Sequence, residues 1–298
     1  MRTILLIDAN LLCHRAYHTT GHLHFGDVGT GVAFGFFREV INLYDKFSPS
    51  GFVFCFDGRK THRAKACPTY KATRQARYDN ATKEEQDGIE EFRRQVWDLE
   101  NNTLPAVGYS NTHSYPGYEA DDLIAALAQR VTKCPDNEVI IISSDQDLWQ
   151  CLGPRVLYYS PHTQELLTEE KFKATWGLEP SLWPMVKAWA GCRTDDVDGV
   201  PGVGEKTAAK YIKGELTKGK AYEAIKANQH IYDANLPLVT LPWPGCPTPK
   251  LYPDKVTAKR WGVAMASLGF ASLTGFAPGH LGGSGMPAGI KGFGFNGK

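Results

Sequence analysis

Three short runs of the chain are apolar at every position and do not alternate: Ile4 to Ile7 (ILLI), Phe52 to Phe56 (FVFCF) and Val139 to Ile142 (VIII). Strands that are apolar on both faces need cover on both sides, which predicts the buried strands of a parallel sheet. Between them the period changes. Apolar residues recur on one helical face across Ala33 to Phe47, and again at Leu123, Ile124, Leu127, Ala128 and Val131. Thr82 followed by Glu85 makes a capping-box pattern ahead of Ile89, Phe92, Val96 and Leu99, predicting a helix from about Thr82 to about Glu100. Strands alternating with helices predict an α/β fold with a mostly parallel sheet. From about Leu178 the pattern is mainly helical, and the Gly-rich segment from Pro278 is expected to be flexible. The expected division is therefore 1–178, 179–277 and 278–298, with a long insertion at about 58–105.

Each predicted strand is followed by an acid. Asp8 follows Ile7, Asp57 follows Phe56, and Asp145 and Asp147 follow the strand that ends near Ser143. In open parallel sheets the carboxyl ends of the strands line the crevice where ligands bind. A fourth segment, GYEADDLIAA at Gly117 to Ala126, places Glu119, Asp121 and Asp122 at a helix start. The unpaired amides there can satisfy one or two carboxylates; a third adds like-charge repulsion unless a cation offsets it. Singly, each acid reads as a strand stop, a turn or a helix cap. Jointly they point to a divalent cation of the Mg²⁺ type, which takes carboxylate, water and phosphate oxygens. With no His, Cys or Ser nucleophile motif nearby, metal-assisted phosphodiester hydrolysis is the chemistry such a cluster suits.

At 298 residues the chain fits one large domain with a smaller companion, and its net charge of +1 leaves any nucleic-acid contact to local charge. The insertion supplies it, because Arg59 to Arg77 contains no acidic residue and holds Arg63, Tyr70, Lys71 and Arg74. A basic segment with an aromatic ring suits a phosphate backbone and an unstacked base. Further on, GVGEKTAAKY at Gly202 to Tyr211 has glycines either side of Val203 and a following helix carrying Lys206 and Lys210, a turn that grips phosphates without reading bases. The seven cysteines are odd in number and show no close pairing, which fits reduced thiols in a cytoplasm. The opening MRTILLIDAN is too short an apolar run for a signal peptide, and no membrane contact is expected.

Taken in order, LLIDANLL, VFCFDG, CPTYKATR, YEADDLIAALA, SSDQDL and PGVGEKTAAKY resemble the flap endonuclease and 5′-3′ exonuclease family. That family includes the 5′-nuclease domain of bacterial DNA polymerase I and free-standing bacteriophage enzymes. The resemblance implies a PIN-like α/β core with a helical arch and a helix-3-turn-helix DNA-binding subdomain. It implies that Asp8, Asp57, Glu119 and Asp121, with Asp122 beside them, serve a first Mg²⁺ or Mn²⁺ ion, and that Asp145, Asp147 and Asp195 serve a second. Lys71 and Arg74 match arch residues that contact the scissile phosphate, with Asp121 and Asp145 the acids closest to the chemistry. Tyr70 becomes a candidate for base stacking, and Arg63 for contact with the strand. Gly202, Val203, Gly204, Lys206 and Lys210 match the hairpin that holds duplex DNA, often with a K⁺ ion. The implied partners are 5′-ended or branched duplex DNA, with RNA:DNA hybrid as a second substrate. A polymerase is expected as a separate chain, and the protein as a monomer.

One position departs from the pattern. Family members carry two aspartates, three apart, ahead of the hairpin; an ungapped match through PGVGEKTA puts Cys192 at the first and Asp195 at the second. A gapped match would use Asp195 and Asp198 instead. The ungapped match is preferred, since a length change so close to the hairpin would shift the acids relative to the DNA grip. Two other readings stand beside the nuclease: a structure-specific DNA-binding protein disabled at Cys192, and a PIN-type ribonuclease. The full set of other acids weighs against the first, and the basic insertion with its hairpin against the second.

Overall fold

In the computed structural model, residues 1–59 and 61–275 are described. The Gly-rich segment from Pro278 lies outside them. The main sheet is built from β1 (Arg2–Asp8), β2 (Gly51–Cys55), β3 (Thr112–His113), β4 (Asn137–Ile142), β5 (Val156–Ser160) and β6 (Glu165–Leu167), in the spatial order β3-β2-β1-β4-β5-β6. Every neighbouring pair is parallel except β5 with β6. β1 lies centrally, its Ile7 opposite Phe54 on one side and Ile142 on the other.

The apolar runs predicted as strands are strands because each covers two layers at once. Leu5, Ile7, Phe54 and Ile142 pack on one face, against Leu12, Phe36 and Phe37 from the helices Ala9–Thr20 and Gly31–Phe47. Ile4, Leu6, Val53 and Ile141 pack on the other, against Leu123, Ile124 and Leu127 of the helix Ala120–Val131. Alternation at period two sorts them, although every residue is apolar. The second layer continues without a break through Phe172, Leu178, Trp183 and Trp189, so no gap in packing marks the boundary at 178. Trp261, Met265 and Phe270, expected in the helical subdomain, instead join the first layer of the sheet.

The insertion forms the helices His62–Ala66, Ala72–Asp79 and Lys83–Asp98. At the start of the third, the Thr82 hydroxyl accepts from the Glu85 amide while the Glu85 carboxylate accepts from the Thr82 amide, which completes the predicted capping box. Among the described residues no helix is long and apolar enough to cross a membrane.

Candidate active site

Parallel strands end together, and the acids that follow them therefore meet. Asp8, Asp57 and Asp145 line one crevice of about 1070 Å³ with Asp121, Lys71, Arg74, Cys192 and the turn Gly202–Gly204. Each strand-end acid is held by a local amide: Asp8 Oδ1 accepts from Leu11 N at 3.0 Å, and Asp145 Oδ1 from Asp147 N at 2.8 Å. Asp57 Oδ1 accepts from Ala120 N at 2.9 Å, which ties the end of β2 to the start of the helix Ala120–Val131. Ser143 donates to Asp8 Oδ2 at 3.1 Å and links the ends of β1 and β4. These bonds hold one oxygen of Asp57 and of Asp145 and both oxygens of Asp8.

The remaining charge is only partly offset by neighbours. Asp121 Oδ1 is buried with no hydrogen-bond partner among the described residues. Burial, and then the charges of Asp145, Asp8 and Asp57, hold its carboxyl well above the ordinary range. Burial followed by Asp57 pushes Asp8 up to about 7, and burial followed by Asp145 does the same for Asp147. Asp145 is also raised, chiefly by burial. Like charges crowded into low dielectric are costly unless a cation joins them. An oxygen-only donor set with an orphaned buried oxygen fits a hard divalent cation of the Mg²⁺ or Mn²⁺ type.

Across the crevice, Lys71 and Arg74 reach in from the insertion. Lys71 Nζ lies 2.8 Å from Glu119 Oε1 and 3.6 Å from Asp195, while the largely exposed Arg74 lies 3.4 Å from Asp195. Burial would lower the Lys71 ammonium, but Glu119 and Asp195 raise it overall, so it stays charged. A backbone clamp sets this edge: Lys71 N donates to Asp195 O, and the Asp196 carboxylate accepts from Thr73 N and Thr73 Oγ1. Lys71 and Asp196 both take left-handed backbone, with φ of 56° and 55°.

Asp195 is buried beside Asp147 and Cys192, whereas Asp198 is exposed. Glu119, also buried, faces the insertion, its Oε2 accepting from the Tyr70 hydroxyl at 2.9 Å. Gly202, at φ 79°, and Gly204 are exposed and line the crevice, and the following helix Glu205–Ile212 carries the exposed Lys206 and Lys210.

Four expectations need correction. Asp122 is fully buried, and its oxygens take Arg63 Nη1 at 2.7 Å and Nη2 at 2.8 Å, together with the amides of Glu119 and Trp243. With its acceptor sites filled, it is a structural acid and not an ion ligand. Arg63 is 2% exposed and also donates to Leu238 O, so it has no surface to offer DNA. Tyr70 is 5% exposed with its hydroxyl bonded to Glu119 and Asp195, so its ring presents no face to a base. Val203 packs its side chain inward and spends its amide on Val200 O, so it has neither side chain nor amide free for a ligand.

Lys187 and His14 also border the crevice and were not singled out from the sequence. Lys187 Nζ lies 3.5 Å from Asp147 Oδ1 and 3.0 Å from Glu205 Oε1, joining the acid cluster to the hairpin helix. The signal was a charge set among apolar neighbours, PMVKAWA, because a buried lysine needs a partner.

Residues 3–177 match the family model described as the 5′-3′ exonuclease, N-terminal resolvase-like domain. The 5′-3′ exonuclease of Aquifex aeolicus is 32% identical over 215 residues, covering 72% of this chain and 70% of that protein. The chain belongs to the 5′-3′ exonuclease family. DNA polymerase I of Mycobacterium tuberculosis is 34% identical over 248 residues, 76% of this chain but only 26% of the polymerase, so the chain spans about a quarter of that relative's length. Among solved structures, phage T5 5′-exonuclease with bound zinc superimposes with a TM-score of 0.69 at 24% identity, covering 81% of this chain and 90% of the phage protein. The phage T5 flap endonuclease, in a complex with DNA and metal ions, gives 0.68 at 22% identity, covering 94% and 98%. These two likenesses establish the fold.

Proposed function

We propose that this member of the 5′-3′ exonuclease family is a structure-specific 5′-nuclease that hydrolyses phosphodiesters from 5′ ends and at 5′ flaps of duplex DNA. The observation that carries the reading is the convergence of Asp8, Asp57, Asp121 and Asp145 in one crevice, with Lys71 and Arg74 opposite. Asp8, Asp57 and Asp121, with Glu119 at the seam, would hold a first Mg²⁺ or Mn²⁺ ion, and Asp145, Asp147 and Asp195 would serve a second. When bound, such an ion supplies electrostatic stabilisation of the phosphate and makes water a better nucleophile at neutral pH.

The chain's own part is positioning. Lys71 and Arg74 place fixed positive charge where charge develops on the scissile phosphate. The Asp195 carboxylate and the Lys71–Glu119 ion pair hold that edge of the insertion at the crevice. Gly202 and Gly204 have nothing within 4 Å of where a Cβ would stand, which leaves the backbone open to close approach by a phosphate. Lys206 and Lys210 add sequence-independent attraction, so binding weakens with salt. A K⁺ ion at that turn, RNA of an RNA:DNA hybrid as a second substrate, a monomeric state and action beside a replication polymerase in a reducing cytoplasm complete the proposal. All seven cysteines are free, which suits that compartment.

The test is cleavage of a 5′-flap duplex labelled at its 3′ end, with Mg²⁺, with EDTA, and with Asp145→Ala as the contamination control. Metal-dependent products lost in the variant support the nuclease. Tight flap binding without cleavage in Mg²⁺ or Mn²⁺ sinks it in favour of a DNA-binding protein of the same fold.

A further inference from the structure

Asp147, Cys192 and Asp195 bring two carboxylate oxygens and a thiol sulfur within 4.8 Å of one another, all three residues being buried. Asp147 Oδ1 is buried without a hydrogen bond, in a residue 7% exposed. Cys192 also lines the open crevice, which gives an ion from solvent a route to its sulfur. We infer that these residues form a mixed carboxylate–thiolate site that takes a thiophilic divalent cation, of the zinc or cadmium class, in preference to Mg²⁺. The inference deepens the nuclease reading, from which it takes its location, but its test does not depend on cleavage.

Donor hardness decides the preference. Mg²⁺ demands oxygen ligands in near-octahedral array and keeps several waters, so a sulfur wastes a coordination position. Thiolate instead selects soft or borderline ions, and a tetrahedral ion with metal–ligand bonds of about 2.0–2.3 Å needs donors roughly 3.5 Å apart. Binding would draw the three donors in from their present spacing by side-chain rotation. Burial and the charges of Asp147 and Asp195 push the Cys192 thiol up, so the thiolate forms only as the ion binds; Thr194 Oγ1, 3.1 Å from Cys192 Sγ, can then donate to it. Tyr70 and Arg74, bonded to Asp195 Oδ2 and Oδ1, orient that carboxylate. Three anionic donors and one dication leave a single negative charge, which the Lys187 ammonium beside Asp147 and the Lys71 and Arg74 cations beside Asp195 offset. Binding releases the thiol proton to solvent as the sulfur–metal bond forms. The same crevice thus holds an all-oxygen group at Asp8, Asp57 and Asp121 and, next to it, a softer one.

The test is titration of the whole metal-free chain with Co²⁺, read as the near-ultraviolet absorption of a sulfur-to-cobalt bond. Wild type should show the band, and Cd²⁺ but not excess Mg²⁺ should abolish it. Cys192→Ser and Cys192→Asp should lack it, while Cys151→Ser keeps it. Calorimetry on Cys192→Asp should show weaker Cd²⁺ binding and tighter Mg²⁺ binding, each by about 10- to 100-fold, the size of effect that changes around a metal produce. No band in wild type, or a band that survives in whichever Cys192 variant folds, overturns the inference. A chain that shows the band but cuts no flap loses the nuclease reading and keeps this one; a chain that cuts without the band does the reverse.

Discussion

Asp121 and Asp122 are adjacent in the chain and occupy opposite electrostatic regions. Asp121 faces the crevice, with a buried oxygen that lacks a partner and with like charges around it. Asp122 faces away, into a knot where it meets Arg63 bidentately and caps two backbone amides. In the crevice, charge is left unsatisfied so that something from outside can satisfy it. In the knot, every charge is satisfied from within, and the result fastens the insertion, through Arg63, to the carbonyls of Leu238 and Thr240. The region to which the proposal assigns the chemistry is the destabilised one.

The largest expected separation follows from the same isosteric change at the two neighbours. Asp121→Asn should lower flap cleavage on the order of 10³-fold, since several kcal/mol of charge stabilisation are at stake, and should leave the denaturant midpoint in EDTA unchanged or higher. Asp122→Asn should do the opposite, with about 3–5 kcal/mol of stability lost because Arg63 is left buried without its partner. Equal stability losses in urea melts of the two variants would erase the distinction. Combining Asp122→Leu with Arg63→Met should lose less than Asp122→Asn alone. Recovery stays incomplete, because the Glu119 and Trp243 amides then lack an acceptor, at about 1–3 kcal/mol each.

A pH scan sharpens the contrast between regions. Asp8 and Asp147, up to about 7 against an ordinary value of 3.8, hold protons in the folded chain that the unfolded chain has released. Stability of the metal-free protein therefore falls as pH rises towards and through about 7. His113 works the other way: its burial lowers it from 6.5 to about 4, so its effect is complete above its ordinary value. Between about pH 6.5 and 8 the carboxylates decide the slope, and the melting temperature in EDTA should decline. Mg²⁺ should flatten most of that decline, leaving the share from Asp254, a buried acid at about 7 that accepts from Ser110 N and lies far along the chain. Asp254→Asn should remove this remainder. An EDTA-treated protein whose melting temperature rises across that window would refute the assignment of unsatisfied charge to the crevice.

The contrast also explains what could be seen in advance. Asp8, Asp57 and Asp145 announce themselves because each follows an apolar run, and strand ends of a parallel sheet share one edge. The capping box at Thr82 is local, so it was legible too. The Arg63–Asp122 pair joins residues 59 apart, and nothing beside either one distinguishes a buried latch from a DNA contact or an ion ligand. Tyr70 misled for the same reason, since an aromatic beside lysine and arginine looks like a stacking platform until its hydroxyl is found on Glu119. β3 is two residues long, too short for any period, and exists because its Thr112 and His113 pair with Phe54 and Cys55. Trp261 to Leu273 fall in the stretch expected to be mainly helical, but which layer they cover is a tertiary choice.

The smallest predicted effect concerns the alignment at the hairpin. Asp195 is buried between Arg74, Lys71 and Tyr70 and joins Asp147 and Cys192, while Asp198, three residues on, is exposed. The turn explains the divergence: Cys192 and Val197 pair across a short two-stranded ladder, so Asp195 lies in the loop that bends back towards the insertion. Asp198 pairs with Gly191 outside that loop. Asp198→Ala should therefore leave flap cleavage within about twofold and stability within about 0.5 kcal/mol, as surface substitutions do. Asp195→Ala should cut cleavage strongly at fixed Mg²⁺ and loosen the Lys71 edge. If Asp198→Ala alone abolished cleavage, the gapped alignment would be right, and Cys192 would stand outside the ligand pair that the hairpin positions.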